Sequence, residues 1–290
     1  MIALYDSEGS TVTDALKQWR SRETLPTSMG SAELRNLSTE VMRRSVVSAA
    51  TSSVEYLEEV SRVVDDMLSG KIDMATGRWE LMKKLKQLGY DPTTGFPGDM
   101  GEIPPAKIAS LRDLSSYKRL NLVLETNMRM AANYGLMIAG NTPYARQAYP
   151  AWELIRLYDR HIERGTEESH AAGWRERWEE AGSYVEWKGA SQIRMVALKD
   201  SPIWLALGMG AGGDYTDTLR NPYPPFAFHS GMGWRAVPWS EALSLRLINR
   251  AKQEVEETRA TLSPGQEEVR RVIAGLSPDL AAALERELAE

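Results

Sequence analysis

The segment YDRHIERGTEESH, residues 158–170, gathers Asp159, His161, Glu163, Glu167, Glu168 and His170. Imidazoles with carboxylates are a ligand set for zinc or manganese, and His229 further along supplies a third nitrogen donor. A metal-dependent hydrolase or a toxin-like transferase would be built on Asp159, His161, Glu163 and His170. The nine-residue step from His161 to His170 matches no zincin spacing, so the motif alone fixes no geometry. The plainer reading is a solvated, salt-bridged loop that follows a strand.

Three other constellations invite chemistry. Ser230 stands beside His229 in HSGMG, but a nucleophile elbow needs glycine two residues before the serine, and Phe228 is there instead. The stretch GMGAGGDYTD, residues 208–217, is glycine-rich enough to cradle a phosphate. It lacks the Lys-Ser/Thr of a P-loop and follows a helix-like segment, so it reads as a flexible connection. Lys107, Arg112, Lys118, Arg119 and Arg129 form a modest basic run that could meet nucleic-acid phosphates, with Asp113 and Glu125 interspersed. A solvated helix face is the simpler expectation there.

Composition narrows the classes. The 290 residues include no cysteine, which excludes disulfides, thiolate metal ligands and cysteine nucleophiles. A formal net charge of −5 sits against a dedicated nucleic-acid binder, which usually presents a basic face. The first residues carry acidic groups where a signal peptide carries basic ones, and no run has the length of a membrane span. A soluble protein folded in the cytoplasm is expected, with no membrane partner.

Aromatic usage divides the chain. Seven of the nine Trp lie between Trp152 and Trp239, and all three His lie between His161 and His229. Apolar residues at three- and four-residue steps predict a long helix over 32–69, stopped by Gly70. A second helix runs from an Asp73 cap to Leu88, with Trp79, Met82 and Leu85 on one face. A third runs from Ser116 to Ala139. Strands are expected at 151–159 and 191–200, and short helices at 170–181 and after Ser201-Pro202. Pro238 to Arg259 reads as a helix, with two more starting at Ser263-Pro264 and Ser277-Pro278. From Ser240 onward the chain mixes ten acidic and seven basic residues, the pattern of a solvated helix face.

The fold class is therefore mainly α, of α+β type. A helical region (1–141) leads into a small aromatic-rich α+β unit (142–239), and a helical tail (240–290) follows. Within that unit NPYPPFAFHSGMGW, residues 221–234, stands out. Pro222, Pro224 and Pro225 restrict the backbone, and Gly231 and Gly233 permit tight turns. Phe226 and Phe228 are expected to anchor the loop on a core containing Trp152 and Trp204.

The order of these segments resembles the Mu F-like minor head proteins of tailed bacteriophages. LNLVLETNMRMAANYG is similar to that family's T-N-x-x-x-A-x-x-x-G helix, here with Asn127 and Arg129. Before it come ALKQW and an L-x-x-L-G-Y end at Leu85 to Tyr90. After it come a strand with a His-containing charged loop, the Trp204 element KDSPIWLAL, and the Tyr-Pro-Pro loop with Pro224 and Pro225. The resemblance covers residues 14–248. It implies a non-enzymatic head-morphogenesis protein without a cofactor, located in the virion near the portal after assembly in the host cytoplasm. The partners it implies are portal, capsid or scaffold proteins and packaged double-stranded DNA. Many members follow the Tyr-Pro-Pro loop with Cys-Arg-Cys; here FAFHSGMGWRAV has no cysteine, and His229 stands where that stretch begins.

Overall fold

The computed structural model describes residues 11–34, 41, 44–97, 108–158, 164–166, 172–187, 194–213 and 215–249. Helix and strand are mixed, as the sequence predicts. The helical part begins with α1 (Thr11–Arg20), β1 (Glu23–Thr24), α2 (Ser31–Leu34) and β2 (Ser45–Val46). Then come α3 (Val54–Leu68), α4 (Met74–Gln87) and the 24-residue α5 (Tyr117–Gly140).

Each of the last three starts on a side-chain cap. Ser53, Asp73 and Ser116 accept from the backbone N–H groups of Tyr56, Thr76 and Arg119. Gly70 and Gly89 take left-handed φ just past α3 and α4, as the stop signals require.

Helices α1, α3, α4 and α5 pack around Trp19, Tyr56, Val60, Val63, Leu81, Leu85 and Leu124. The Trp19 indole donates to the Ser61 carbonyl at 2.8 Å, so this large ring is buried without stranding its N–H.

Two sequence expectations fail in this part. The long helix over 32–69 is interrupted: Ser45–Val46 pairs in parallel with Glu23–Thr24, and α3 restarts only after Ser53. Neighbouring Val46 and Val47 favour extended backbone, and Ala50 adopts φ 51 at the break. On α4 the buried stripe is Gly77, Leu81 and Leu85, which leaves Trp79 and Met82 exposed. The i, i+4, i+8 stripe is rotated from the expected one, and only Leu85 belongs to both.

Beyond α5 lie α6 (Pro143–Ala148), β3 (Ala151–Arg156), α7 (Trp174–Tyr184), β4 (Val196–Leu198), α8 (Ile203–Met209), β5 (Met232–Val237) and α9 (Trp239–Ser244). The sheet order is β4-β3-β5, all antiparallel. Trp152 pairs with Ala197 and Ala236, and Leu154 with Trp234. Period-2 alternation sends Trp152, Leu154 and Trp234 to one face, where the Trp152 and Trp234 rings stack at 5.0 Å. Ala151, Val196 and Val237 on the other face are covered by Ala242 of α9.

β5 was hidden in the sequence because Pro and Gly residues precede it. The helix expected over Pro238–Arg259 ends at Ser244. Arg246 turns to φ 58, and Leu247 donates back to the Ala242 carbonyl, which brings Leu245, Leu247 and Ile248 onto the sheet. The helices expected after Ser263 and Ser277 fall outside the described residues. Among the described residues, no helix is long and apolar enough to cross a membrane.

Candidate functional site

The loop between α8 and β5 is held from both sides. Leu219 N donates to the Phe226 carbonyl at 2.8 Å, Phe228 N to the Asp217 carbonyl at 3.0 Å, and Arg220 N to the Gly208 carbonyl at 3.0 Å. Pro224, Pro225, Phe226 and Ala227 are buried, and the Pro224–Pro225 bond is cis. Gly208 must be glycine: a Cβ there would stand 2.0 Å from the Asn221 carbonyl oxygen. The glycine-rich segment read as a flexible connection is, at this position, a close-packed crossing of two backbones.

Phe226 is the centre of the aromatic core. Its ring lies 6.2 Å from Trp204, 6.0 Å from Trp234 and 6.4 Å from Trp174. Trp204 also meets Trp178 and Trp234, and its indole donates to the Leu198 carbonyl at 2.8 Å. Phe228 packs only at the margin of this core. Of the two expected anchors, Phe226 carries the contact with Trp204 and Phe228 is half-buried.

A charged brace supports the loop. Asp217 accepts from Arg177 at 2.9 Å and from Arg164, and Arg164 also donates to the Phe228 carbonyl at 2.7 Å. Both guanidinium groups are buried and flank the Trp174 ring. Burial opposes the Asp217 charge, but the two arginines outweigh it and hold its pKa below the usual carboxylate range. Ser230 is fully buried, and its Oγ accepts from Met232 N at 3.2 Å. A hydroxyl so placed has no access to a substrate, which closes the serine-nucleophile reading.

His229 faces outward, with its side chain 43% exposed and its backbone at φ 51. Its Nδ1 lies 3.8 Å from Glu125 of α5. One helical turn on, Arg129 pairs with Glu125 and lays its guanidinium 3.7 Å from the centre of the Tyr158 ring. The structure thus brings together His229, Arg129, Glu125 and Tyr158 on the seam between the long helix and the aromatic fold. The seam carries an exposed phenol and an exposed imidazole beside a half-buried, mutually paired carboxylate and guanidinium.

Asn127 is not part of that surface: it is buried and donates to the Val123 carbonyl at 2.8 Å within its own helix. Tyr134, one helical turn beyond Met130, packs edge-on against Tyr223 of the loop at 5.7 Å. Glu125, Tyr158, Arg164 and Asp217 were missed as partners. The Glu125–Arg129 spacing was the one readable signal, since the other contacts join residues far apart in sequence.

Asp159, His161 and His170 lie outside the described residues. Among the described residues, no three His, Cys, Asp or Glu side chains converge as metal ligands would. The basic run is broken by the fold. Arg119 is buried, donating to Ser48 Oγ at 2.6 Å and the Ala49 carbonyl at 2.8 Å, and burial lowers its pKa. It braces the bundle and does not meet a phosphate.

Comparison of the chain with protein-family models, curated proteins and solved structures finds no match.

Proposed function

We propose that this chain is a minor head protein of a tailed bacteriophage, of the Mu F-like kind, acting in head morphogenesis. It works by presenting surfaces to portal, capsid or scaffold proteins, and double-stranded DNA is its further partner inside the head. It performs no catalysis in this reading.

The observation that carries the proposal is the order of motifs from the Thr-Asn helix to the Tyr-Pro-Pro loop. Packing lends support: the Thr-Asn helix, the strand before the His-containing loop, the Trp204 element and the Tyr-Pro-Pro loop all contribute to one core. The missing cysteines fit as well, because Phe226, Trp174 and the Arg164–Asp217–Arg177 brace hold the loop by packing and charge.

The seam surface at Glu125, Arg129, Tyr158 and His229 is the part we assign to partner contact. Purified chain, mixed with assembling heads or with portal, is expected to co-sediment with them. Paired substitutions Arg129→Ala and His229→Ala should weaken that without unfolding the protein. Absence of the chain from both assembling and mature particles would overturn the proposal.

A further inference from the structure

Among the described residues, nothing covers the outer face of the α3–α4 hairpin. Gly77, Leu81 and Leu85 turn inward, so Trp79 remains 57% exposed and Met82 46%. Large apolar side chains on the outside of a helix whose inner stripe is already satisfied mark a contact surface.

The charges on this face are sorted by helix. α3 contributes Glu55, Glu58, Glu59 and Asp66 against a single Arg62, while its Asp65 turns to Arg20 of α1. α4 contributes Lys83, Lys84 and Lys86 against a single Glu80, while its Arg78 turns to Asn121 and the Tyr117 ring of α5. Arg62 is already engaged with Glu59, Asp66 and Glu80. Glu55, Glu58, Lys83, Lys84 and Lys86 make no ion pair among the described residues. Between the two helices runs a cleft of about 250 Å³, lined in part by Trp79, Lys83 and Gln87.

We propose that a second copy of this chain docks here, hairpin against hairpin, to form a two-fold four-helix arrangement. The face is its own complement: one acidic helix beside one basic helix. Two hairpins laid face to face can be related by a two-fold axis across the helices or along them. An axis across them sets α3 on α3 and α4 on α4, acid on acid and base on base. An axis along them sets α3 of each copy on α4 of the other, and only this one pairs unlike charges.

Rotation about that axis leaves height along the helices unchanged. Within one hairpin Arg62 meets Glu80, so Glu58 and Glu55 stand level with the Lys83–Lys84 turn and the Lys86 turn of antiparallel α4. The partner's Glu58 therefore faces Lys83, and the partner's Glu55 faces Lys86. Trp79, which lines the cleft between the helices, stands at the middle of this face, where an aromatic anchor ringed by charge contributes most to binding. The proposal is independent of the phage reading, because it uses no residue of the seam.

The test is a charge swap on the full chain, read by sedimentation equilibrium with far-UV circular dichroism as a check of folding. The unmodified chain is expected to be a dimer that weakens as salt rises. Trp79→Ala should raise the dimer Kd by about tenfold or more. The pair Lys83→Glu and Lys86→Glu should give monomer, and so should the pair Glu55→Lys and Glu58→Lys. An equal mixture of these two variants should recover a heterodimer, because each variant's α3 then meets an opposite charge. A chain that stays monomeric at every soluble concentration would overturn the proposal. So would a dimer indifferent to all three changes, or a mixture that remains monomeric while both variants are folded.

Discussion

The Phe226 ring touches Trp174, Trp204 and Trp234 while its own backbone sits at φ 55, a conformation a bulky side chain rarely adopts. Packing on three sides must therefore offset local strain as well as the ordering of the loop. Phe226→Ala would leave a cavity in a fully buried site and should cost about 3–5 kcal/mol. Phe228 lies at the core margin, so Phe228→Ala should cost less than about 1.5 kcal/mol. Urea titration followed by tryptophan fluorescence checks both, and equal losses would refute the assignment of Phe226 as principal anchor. Asp217 is the second such residue. Asp217→Asn would leave the buried Arg164 and Arg177 guanidinium groups without their shared carboxylate, and should destabilise by about 3–5 kcal/mol. The same titration reads that loss. A midpoint within experimental error of the parent would mean that the brace is not a structural support.

Between elements, the sheet is clamped on the side away from the aromatic core. Glu153 of β3 accepts from Arg194 at 2.6 Å and from Arg235 of β5 at 2.8 Å, and Glu241 of α9 accepts from the same two arginines. Alternating charges place each carboxylate between two guanidinium groups. Hydrogen bonds from Arg235 and Arg194 pull the Glu241 pKa from 4.5 down to about 2, and Arg194 chiefly lowers that of Glu153. A folded pKa below the unfolded one makes this contribution complete above pH 4.5 and lost as pH falls toward 2. Solvent screening keeps it to about 1 kcal/mol or less. At low salt, the urea midpoint of Glu241→Gln should trail that of the parent by a constant amount above pH 5, and the gap should narrow steadily as pH drops to 3. A gap that stays constant down to pH 3 would refute the clamp. Elements of this kind differ in how readable they were. α5 announced itself through Ser116, an apolar period and its closing Asn141, all local signals. β5 did not, because MGWRAV becomes a strand only through pairing with β3 some 80 positions earlier. The candidate site divides in the same way: Glu125 and Arg129 are one turn apart on a helix, whereas His229 joins them only through the tertiary fold.

At the scale of the whole molecule, α5 belongs to two cores at once. Leu120, Val123, Leu124 and Ala131 pack into the helical bundle, while Met130, Tyr134 and Met137 pack into the aromatic core. A helix of 24 residues spans about 36 Å, long enough to run from one core into the other. At its end Gly140 lies directly against Trp152, where a Cβ would stand 2.3 Å from the ring. Lys199 ties the same turn down, donating to the Gly140 carbonyl at 2.6 Å and to Ala145 of α6 at 3.1 Å. Melting either core would strip one side of α5, so neither core keeps its full stability once the other is lost. Unfolding is therefore expected to be a single transition, with helix content by far-UV circular dichroism and tryptophan fluorescence changing together. The two signals sample different halves, since seven of the nine Trp lie between Trp152 and Trp239 while most of the helix lies before Asn141. Met130→Ala removes a buried contact at the node, should cost about 2–4 kcal/mol, and should lower both midpoints equally. If the variant shifted the fluorescence midpoint and left the helix midpoint in place, the two cores would be energetically separate. The long helix would then be a tether between them and not a shared wall.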